Sequence, residues 1–253
     1  MRARPAAIVT GGGAGFGRET CLALGGRGMP VGVVDINGDA AERTAAAVIA
    51  AGGEACAVSA DVSDPAAVSA YVDAIEGRYG HIGALANNAA YEGVVAEVSE
   101  YPIDEFDRVL AVNVRGVFLG LQHVIPAIRR AGGGAIVNVS SQGGLRGVSQ
   151  FSAYSASKHA VIGLSQTAAL ETASDGIRVN TVCPGPSDTR MMRDINTAVS
   201  LRGGEPSDML ERIPLGRYGE AEEVARTIAW LLLDAPPFLT GAVLSVDGGM
   251  TIA

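Results

Sequence analysis

Ala6-Ala7-Ile8-Val9-Thr10-Gly11-Gly12-Gly13-Ala14-Gly15-Phe16-Gly17 is the stretch that decides how this chain folds. An apolar run of strand length passes directly into a glycine cluster, and a helical segment begins near Arg18. Glycines let a backbone turn sharply and let a pyrophosphate come close, while a helix start offers free N–H groups and the positive end of a dipole. Strand, glycine turn and helix in that order describe a phosphate cradle. The same residues also suit a tight turn packed with small side chains, and the cluster alone does not choose between the two.

Working outward, Pro30–Asp35, Glu54–Ser59, Gly83–Asn87, Gly134–Ser140, Ile177–Cys183 and Gly241–Val246 read as six more strands. Most are continuously apolar, as suits strands covered on both faces in a parallel sheet. Helical segments alternate with them. Asp64-Pro65 is a cap followed by proline at the first helical position, and Val68, Tyr71, Val72, Ile75 and Tyr79 recur at helical spacing. Ile103–Arg130, Ala153–Thr172 and Ala221–Leu233 are further helices. The alternation predicts a doubly wound α/β architecture in one domain spanning residues 1–253. Residues 184–214 fit neither element, and Met191, Met192, Gly203-Gly204 and Pro206 mark them as a mobile flap.

Composition narrows the function. The chain has 253 residues, 48% hydrophobic and 18% charged, with a net charge of −8. That is ample for a core, and it disfavours a nucleic-acid surface or attraction to anionic lipid. No uninterrupted apolar run is long enough for a membrane span, and the N-terminus does not read as a signal peptide. Cys21, Cys56 and Cys183 lie far apart, so neither a disulfide framework nor a zinc site is visible; the expectation is three reduced thiols in a cytoplasmic protein. A Ser–His–Asp hydrolase is disfavoured, because there is no G-x-S-x-G elbow and His81, His123 and His159 show no supporting pattern.

Two further features carry chemistry. The second strand ends at Asp35, where a carboxylate hydrogen-bonds an adenosine ribose and repels a 2′-phosphate, so NAD is expected over NADP. Arg18 is a possible counterweight, and a solvated strand-end aspartate is the plainer alternative. Tyr154-Ser155-Ala156-Ser157-Lys158 opens a helix and puts the phenol and the ammonium on one face. Bringing a tyrosine to neutral pH takes roughly 4 kcal/mol. One cation at ~4 Å and an effective dielectric of about 20 supplies a similar amount. Tyr154 can then serve as general acid/base, with Ser141 holding a substrate oxygen. An ordinary surface Tyr–Lys pair fits the same spacing.

Read together, TGGGAGFG (Thr10–Gly17), Asp61-Val62, NNAA (Asn87–Ala90), Asn113, NVSS (Asn138–Ser141), YSASK (Tyr154–Lys158), PGPSDT (Pro184–Thr189), PLGRYGEAEEVA (Pro214–Ala225) and TGAVLSVDGG (Thr240–Gly249) resemble the short-chain dehydrogenase/reductase family over essentially the whole chain. The resemblance implies a Rossmann fold with a seven-stranded parallel sheet flanked by helices on both faces. It implies that Tyr154 moves the proton, that Lys158 lowers its pKa and binds the nicotinamide ribose, that Ser141 orients the substrate, and that Asn113 holds a water in a relay to Lys158. Gly11, Gly15, Phe16 and Gly17 would form the dinucleotide turn. Asp35 and Ile36, then Asp61 and Val62, and Asn87 would lie on the adenosine side, with Pro184 and Thr189 at the nicotinamide end. Gln142, Gly143, Gln150 and Met191 would join Ser141 and Tyr154 around the substrate, with Tyr91, Arg146, Phe151 and Met192 as further wall candidates. Arg146 and Gln150 would either contact a polar or anionic substrate tail or stay solvated.

The implied activity is NAD(H)-dependent interconversion of a secondary alcohol and its ketone, cyclic ones included, by a homotetramer. Phe118 and Met250–Ala253 are candidates for the subunit interface. An NAD-sensing regulator without turnover is the alternative. Two departures from the family pattern stand out: Ala90 where glycine is usual, and Pro186 after Pro184-Gly185.

Overall fold

The structure, a computed structural model, describes residues 5–201 and 207–253. The seven expected strands are present: β1 (Ala6–Thr10), β2 (Val31–Asp35), β3 (Ala55–Ser59), β4 (Ile82–Asn87), β5 (Gly134–Val139), β6 (Ile177–Pro184) and β7 (Val243–Val246). They form one sheet in the order β3-β2-β1-β4-β5-β6-β7, with every pairing parallel. The order reverses beside β1, so the chain leaves β1 and β4 in opposite directions and opens a crevice at their C-terminal ends.

The helices are α1 (Gly15–Gly25), α2 (Gly38–Ala50), α3 (Pro65–Tyr79), α4 (Ile103–Leu110), α5 (Gly116–Ala131), α6 (Ser152–Thr172), α7 (Arg190–Leu201), α8 (Ser207–Glu211) and α9 (Ala221–Leu233). Side-chain alternation sorts the apolar strands between two cores. Ala7, Val9, Val31, Val33, Ala86 and Val137 meet α1, α2 and α9 through Leu24, Val48 and Ile228. Ala6, Ile8, Leu85 and Ile136 face α3, α5 and α6 through Ile75, Val124 and Val161. A strand buried on both faces has no polar side to display, hence its continuous apolar reading.

Local signals behave as their chemistry requires. Asp64 accepts from the Ala66 N–H at 2.9 Å, capping α3 with Pro65 at its first position. Asn37 does the same for α2, a helix the sequence reading did not anticipate, accepting from the Ala40 N–H at 3.1 Å. The long helix expected from Ile103 runs to Ala131 but is interrupted by a π turn over Ala111–Arg115. It spans 29 residues, and an 18-residue window within it, of mean hydropathy 1.4, is long and apolar enough to cross a membrane by composition. Here Val117, Leu121, Val124 and Ile128 are buried against the sheet instead.

The segment expected to fit neither element is corrected in part: residues 190–201 form α7. Met192 is its buried residue, and Thr189 Oγ1 accepts from the Met192 N–H at 3.3 Å. Met192, Ile195 and Val199 repeat at helical spacing, a pattern that Gly203-Gly204 and Pro206 masked; those three lie outside the described residues.

Ile136 is fully buried in the centre of the sheet. Ile136→Ala is expected to lower unfolding free energy by about 2–5 kcal/mol in urea titration, with the denaturant slope unchanged.

Candidate active site

A cleft of about 640 Å³ lies over the C-terminal strand ends, lined by both the glycine loop and the Ser–Tyr–Lys residues. The loop is held from beneath by the β4 exit. Thr10 Oγ1 accepts from the N–H groups of Asn88 and Ala89 at 3.0 and 3.1 Å, and Asn88 Nδ2 donates to the carbonyls of Thr10 and Gly11 at 3.0 and 3.2 Å. This close approach explains two glycines. A Cβ on Gly11 (φ +63°) would stand 2.9 Å from Ala89 Cα, and one on Gly17 would stand 2.0 Å from the Gly11 carbonyl oxygen.

The cradle fits a dinucleotide. Unlike α2 and α3, α1 starts with no side-chain cap, and its first residues Gly15 and Phe16 line the cleft. First-turn N–H groups without a partner in the helix are suited to a pyrophosphate. Asp35 and Ile36 line the same end, with Asp61 and Val62 beyond them. The Asp35 carboxylate is fixed in place by the N–H groups of Gly13 and Asn37, each at 2.9 Å. Arg18 is ion-paired with Glu19 and is not part of the cleft wall.

At the other end, α6 presents Tyr154 and Lys158 while the β5 exit presents Ser141. Lys158 is buried, its Nζ donating to the Val139 carbonyl at 2.9 Å, and lies 5.6 Å from the Tyr154 ring centroid. The Ser140 hydroxyl donates to the Lys158 carbonyl at 2.8 Å, which docks the β5 exit on α6. Ser141 Oγ accepts from the Gly143 N–H at 3.1 Å and hydrogen-bonds the Tyr154 phenol. Burial pulls the Lys158 ammonium down to about 8. It pushes Tyr154 up to about 12, against the lowering effect of Ser141. The resemblance assigned the lowering of the Tyr154 pKa to Lys158. In this geometry Ser141 does it, because the ammonium is turned to Val139.

Asn113 sits in the π turn, fully buried. Its Oδ1 accepts from the Tyr91 N–H at 2.8 Å, and its Nδ2 donates to the Tyr91 carbonyl at 2.9 Å and to Ser157 Oγ at 3.0 Å. Both amide hydrogens are committed to protein, so the side chain ties the β4 exit to α6 and has no donor left for a relay water.

Most of the remaining expectations meet in the cleft: Gly11, Gly15, Gln142, Gly143, Pro184, Thr189, Met191, Tyr91, Phe151 and Met192 all line it. Four do not. Asn87 is buried beneath it, donating to Asn138 Oδ1 at 2.8 Å, because it shares the inward parity of Leu85. Its neighbour Asn88 takes the place in the wall. Gly17 acts through packing. Gln150, at φ +66°, stands outside the cleft and offers its carbonyl to the Ala96 N–H at 3.0 Å. Arg146 donates to Gln142 Oε1 at 2.7 Å and also stays out of the wall. Ala90 is tolerated, since Gln150 is the one non-glycine with positive φ among the described residues. Sequence reading passed over Asn88, Arg108 and Glu92, which the fold brings to the wall; strand parity alone would have exchanged Asn88 for Asn87.

Fold and site define a nicotinamide-dinucleotide oxidoreductase. The family model described as enoyl-(acyl carrier protein) reductase matches residues 11–251. Levodione reductase of Leifsonia aquatica is 39% identical over 252 residues, covering 97% of this chain and 94% of that one. Cyclohexanol dehydrogenase of Acinetobacter sp. (strain SE19) is 40% identical over 245 residues, with coverage of 97% and 94%. NAD+-bound xylitol dehydrogenase superposes with a TM-score of 0.93 at 35% identity, covering 98% of this chain and 100% of that chain. An actinorhodin polyketide ketoreductase with NADPH superposes at 0.94 and 33% identity, with coverage of 100% and 99%. The chain belongs to the short-chain dehydrogenase/reductases.

A buried ammonium is a stability cost wherever the unfolded chain holds the proton more tightly. Lys158 titrates near 8 when folded against an ordinary 10.5, so the cost is full below pH 8 and vanishes above 10.5. Lys158→Met, which is free of that cost, is therefore expected to be about 3 kcal/mol more stable than the native protein at pH 7. In chemical denaturation that gap should close between those two pH values; a gap independent of pH contradicts the assignment.

Proposed function

We propose that the protein is an NAD(H)-dependent alcohol dehydrogenase/ketoreductase interconverting a secondary alcohol, cyclic ones included, and its ketone, with Tyr154 as general acid/base. One observation carries the reading: Ser141, Tyr154 and Lys158 meet at one end of a cleft whose other end is Asp35. The relatives named for levodione and cyclohexanol support a cyclic substrate. The dinucleotide, when bound, supplies or accepts the hydride. Asp35, with Ile36, Asp61 and Val62, would hold its adenosine end, Gly11, Gly15 and Phe16 its phosphates, and Pro184 and Thr189 its nicotinamide end.

Ser141 orients the reacting oxygen, and Tyr154 exchanges a proton with it. At about 12 the phenol is protonated at neutral pH, so the site is set as a proton donor for ketone reduction. Working as a base in alcohol oxidation requires a shift to near 7, roughly 7 kcal/mol. It must come from the Ser141 hydrogen bond and from Lys158 turning from Val139 to within ~4 Å of the phenol oxygen, where a cation supplies about 4 kcal/mol at an effective dielectric of about 20.

Asp35 supports NAD over NADP: its fixed carboxylate repels a 2′-phosphate, and Arg18 is engaged by Glu19. Cytoplasmic location, a homotetramer and a substrate-side flap over 184–214 belong to the same proposal. Exposed Phe118 and Ile252 support the assembly, and three free cysteines support the location. A sensor of the same fold has no use for a buried proton donor beside a buried ammonium.

NADH absorbance with secondary alcohols and ketones tests the reading. Tyr154→Phe should lose about 10²–10⁴-fold in kcat. The native protein should prefer NAD+ over NADP+ in kcat/KM, and Asp35→Ser should narrow that ratio. Persisting activity in the phenylalanine variant removes Tyr154 from proton transfer, and a native preference for NADP+ removes Asp35 from cofactor choice.

A further inference from the structure

Glu92 follows Tyr91 on the loop leaving β4, and its side chain lines the substrate end of the cleft. No ion pair within 4 Å holds it among the described residues. The cations on that wall face other groups. Arg108 lies over the Tyr91 ring, 4.3 Å from its centroid and 3.6 Å from Glu105. Arg190 is 3.9 Å from Asp194. The Tyr91 hydroxyl donates to Glu105 at 2.7 Å, away from Glu92. Its carboxylate accepts from its own backbone N–H, and burial lifts its pKa. A half-buried carboxylate with acceptor capacity to spare calls for a donor from the cleft.

We propose that Glu92 is a specificity determinant that accepts a hydrogen bond from a second hydroxyl on the substrate, remote from the reacting carbon, and excludes substrates carrying a carboxylate there. The favoured class is therefore neutral diols and hydroxyketones; this rests on the alcohol–ketone reading above. A hydroxyl suits the site better than an ammonium. An ammonium would lose its hydration on entering and would meet Arg108 and Arg190 on the same wall. A neutral donor to a carboxylate forms a strong hydrogen bond without burying a second charge.

The same carboxylate acts on the proton-transfer group. Arg108 from α4, Arg190 and Asp194 from α7, and Tyr154 from α6 face Glu92. Tyr154 in turn has Ser141, Cys183 and Lys158 around it. The Glu92 charge disfavours the phenolate, so removing that charge lowers the Tyr154 pKa. Alcohol oxidation, which needs the phenolate, then extends to lower pH.

The test measures kcat/KM for a cyclohexanediol, cyclohexanol and a hydroxycyclohexanecarboxylate with the native protein, Glu92→Met and Glu92→Gln. The native protein should favour the diol. Glu92→Met, which removes the acceptor at similar volume, should lower the diol-to-cyclohexanol ratio about tenfold. Glu92→Gln, which removes only the charge, should raise the carboxylate-to-cyclohexanol ratio about tenfold and move the acidic limb of the oxidation profile down by about half a pH unit. Should Glu92→Met fail to fold, the Glu92→Gln ratio and limb decide alone. Cyclohexanol turnover with ratios unchanged in the variants overturns the role of Glu92 and leaves the alcohol–ketone reading intact. A native protein that turns over no alcohol or ketone overturns both.

Discussion

The ammonium of Lys158 is the point from which the site is organised. It lies inside the protein with its Nζ on the Val139 carbonyl, at the last residue of β5, while the Ser140 hydroxyl returns to the Lys158 backbone. Those two hydrogen bonds stitch the end of a central strand to the start of α6. They bring Ser141, the next residue on one element, beside Tyr154, one helical turn earlier on the other. A cation buried this way is costly. The fold bears that cost at the one place where a positive charge beside a phenol has chemical use.

The rest of the cleft is assembled around that junction by polar groups that hydrogen-bond to one another and to the backbone. Thr10 and Asn88 lock the glycine loop to the β4 exit. Asn113 ties the same exit to α6 through Tyr91 and Ser157. Asn87 and Asn138 continue the connection below, and Asn138 Nδ2 donates to Ser165 Oγ at 2.8 Å. Because β1, β4, β5 and α6 are joined by side chains as well as by packing, the dinucleotide end and the proton-transfer end of the cleft keep a fixed separation. The π turn belongs to this framework, since it carries Asn113 to the centre of the network.

Much of this was legible in the sequence for specific reasons. Doubly buried strands lack a polar face, so β1 and β4–β6 declare themselves as apolar runs; Asp64-Pro65 announces a cap; and Tyr154 and Lys158 share a helix face by spacing alone. Other features depended on the third dimension. Whether the first or second asparagine of Asn87-Asn88 faces the cleft is set by strand parity at β4. The commitment of both Asn113 amide hydrogens appears only once Tyr91 and Ser157 are placed around it. The elevation of Tyr154 to about 12 reflects burial, which no local pattern encodes, and α7 was hidden by the glycines and proline beyond its end.

The most direct measurement of the central claim is a high-resolution crystal structure of the protein with NADH bound. The account predicts the adenosine ribose on Asp35, the pyrophosphate at the start of α1 by Gly15 and Phe16, and the nicotinamide ring beside Ser141 and Tyr154 with Lys158 on its ribose. A dinucleotide lying in the reverse direction, or one whose ring is out of reach of Tyr154 and Ser141, would contradict it.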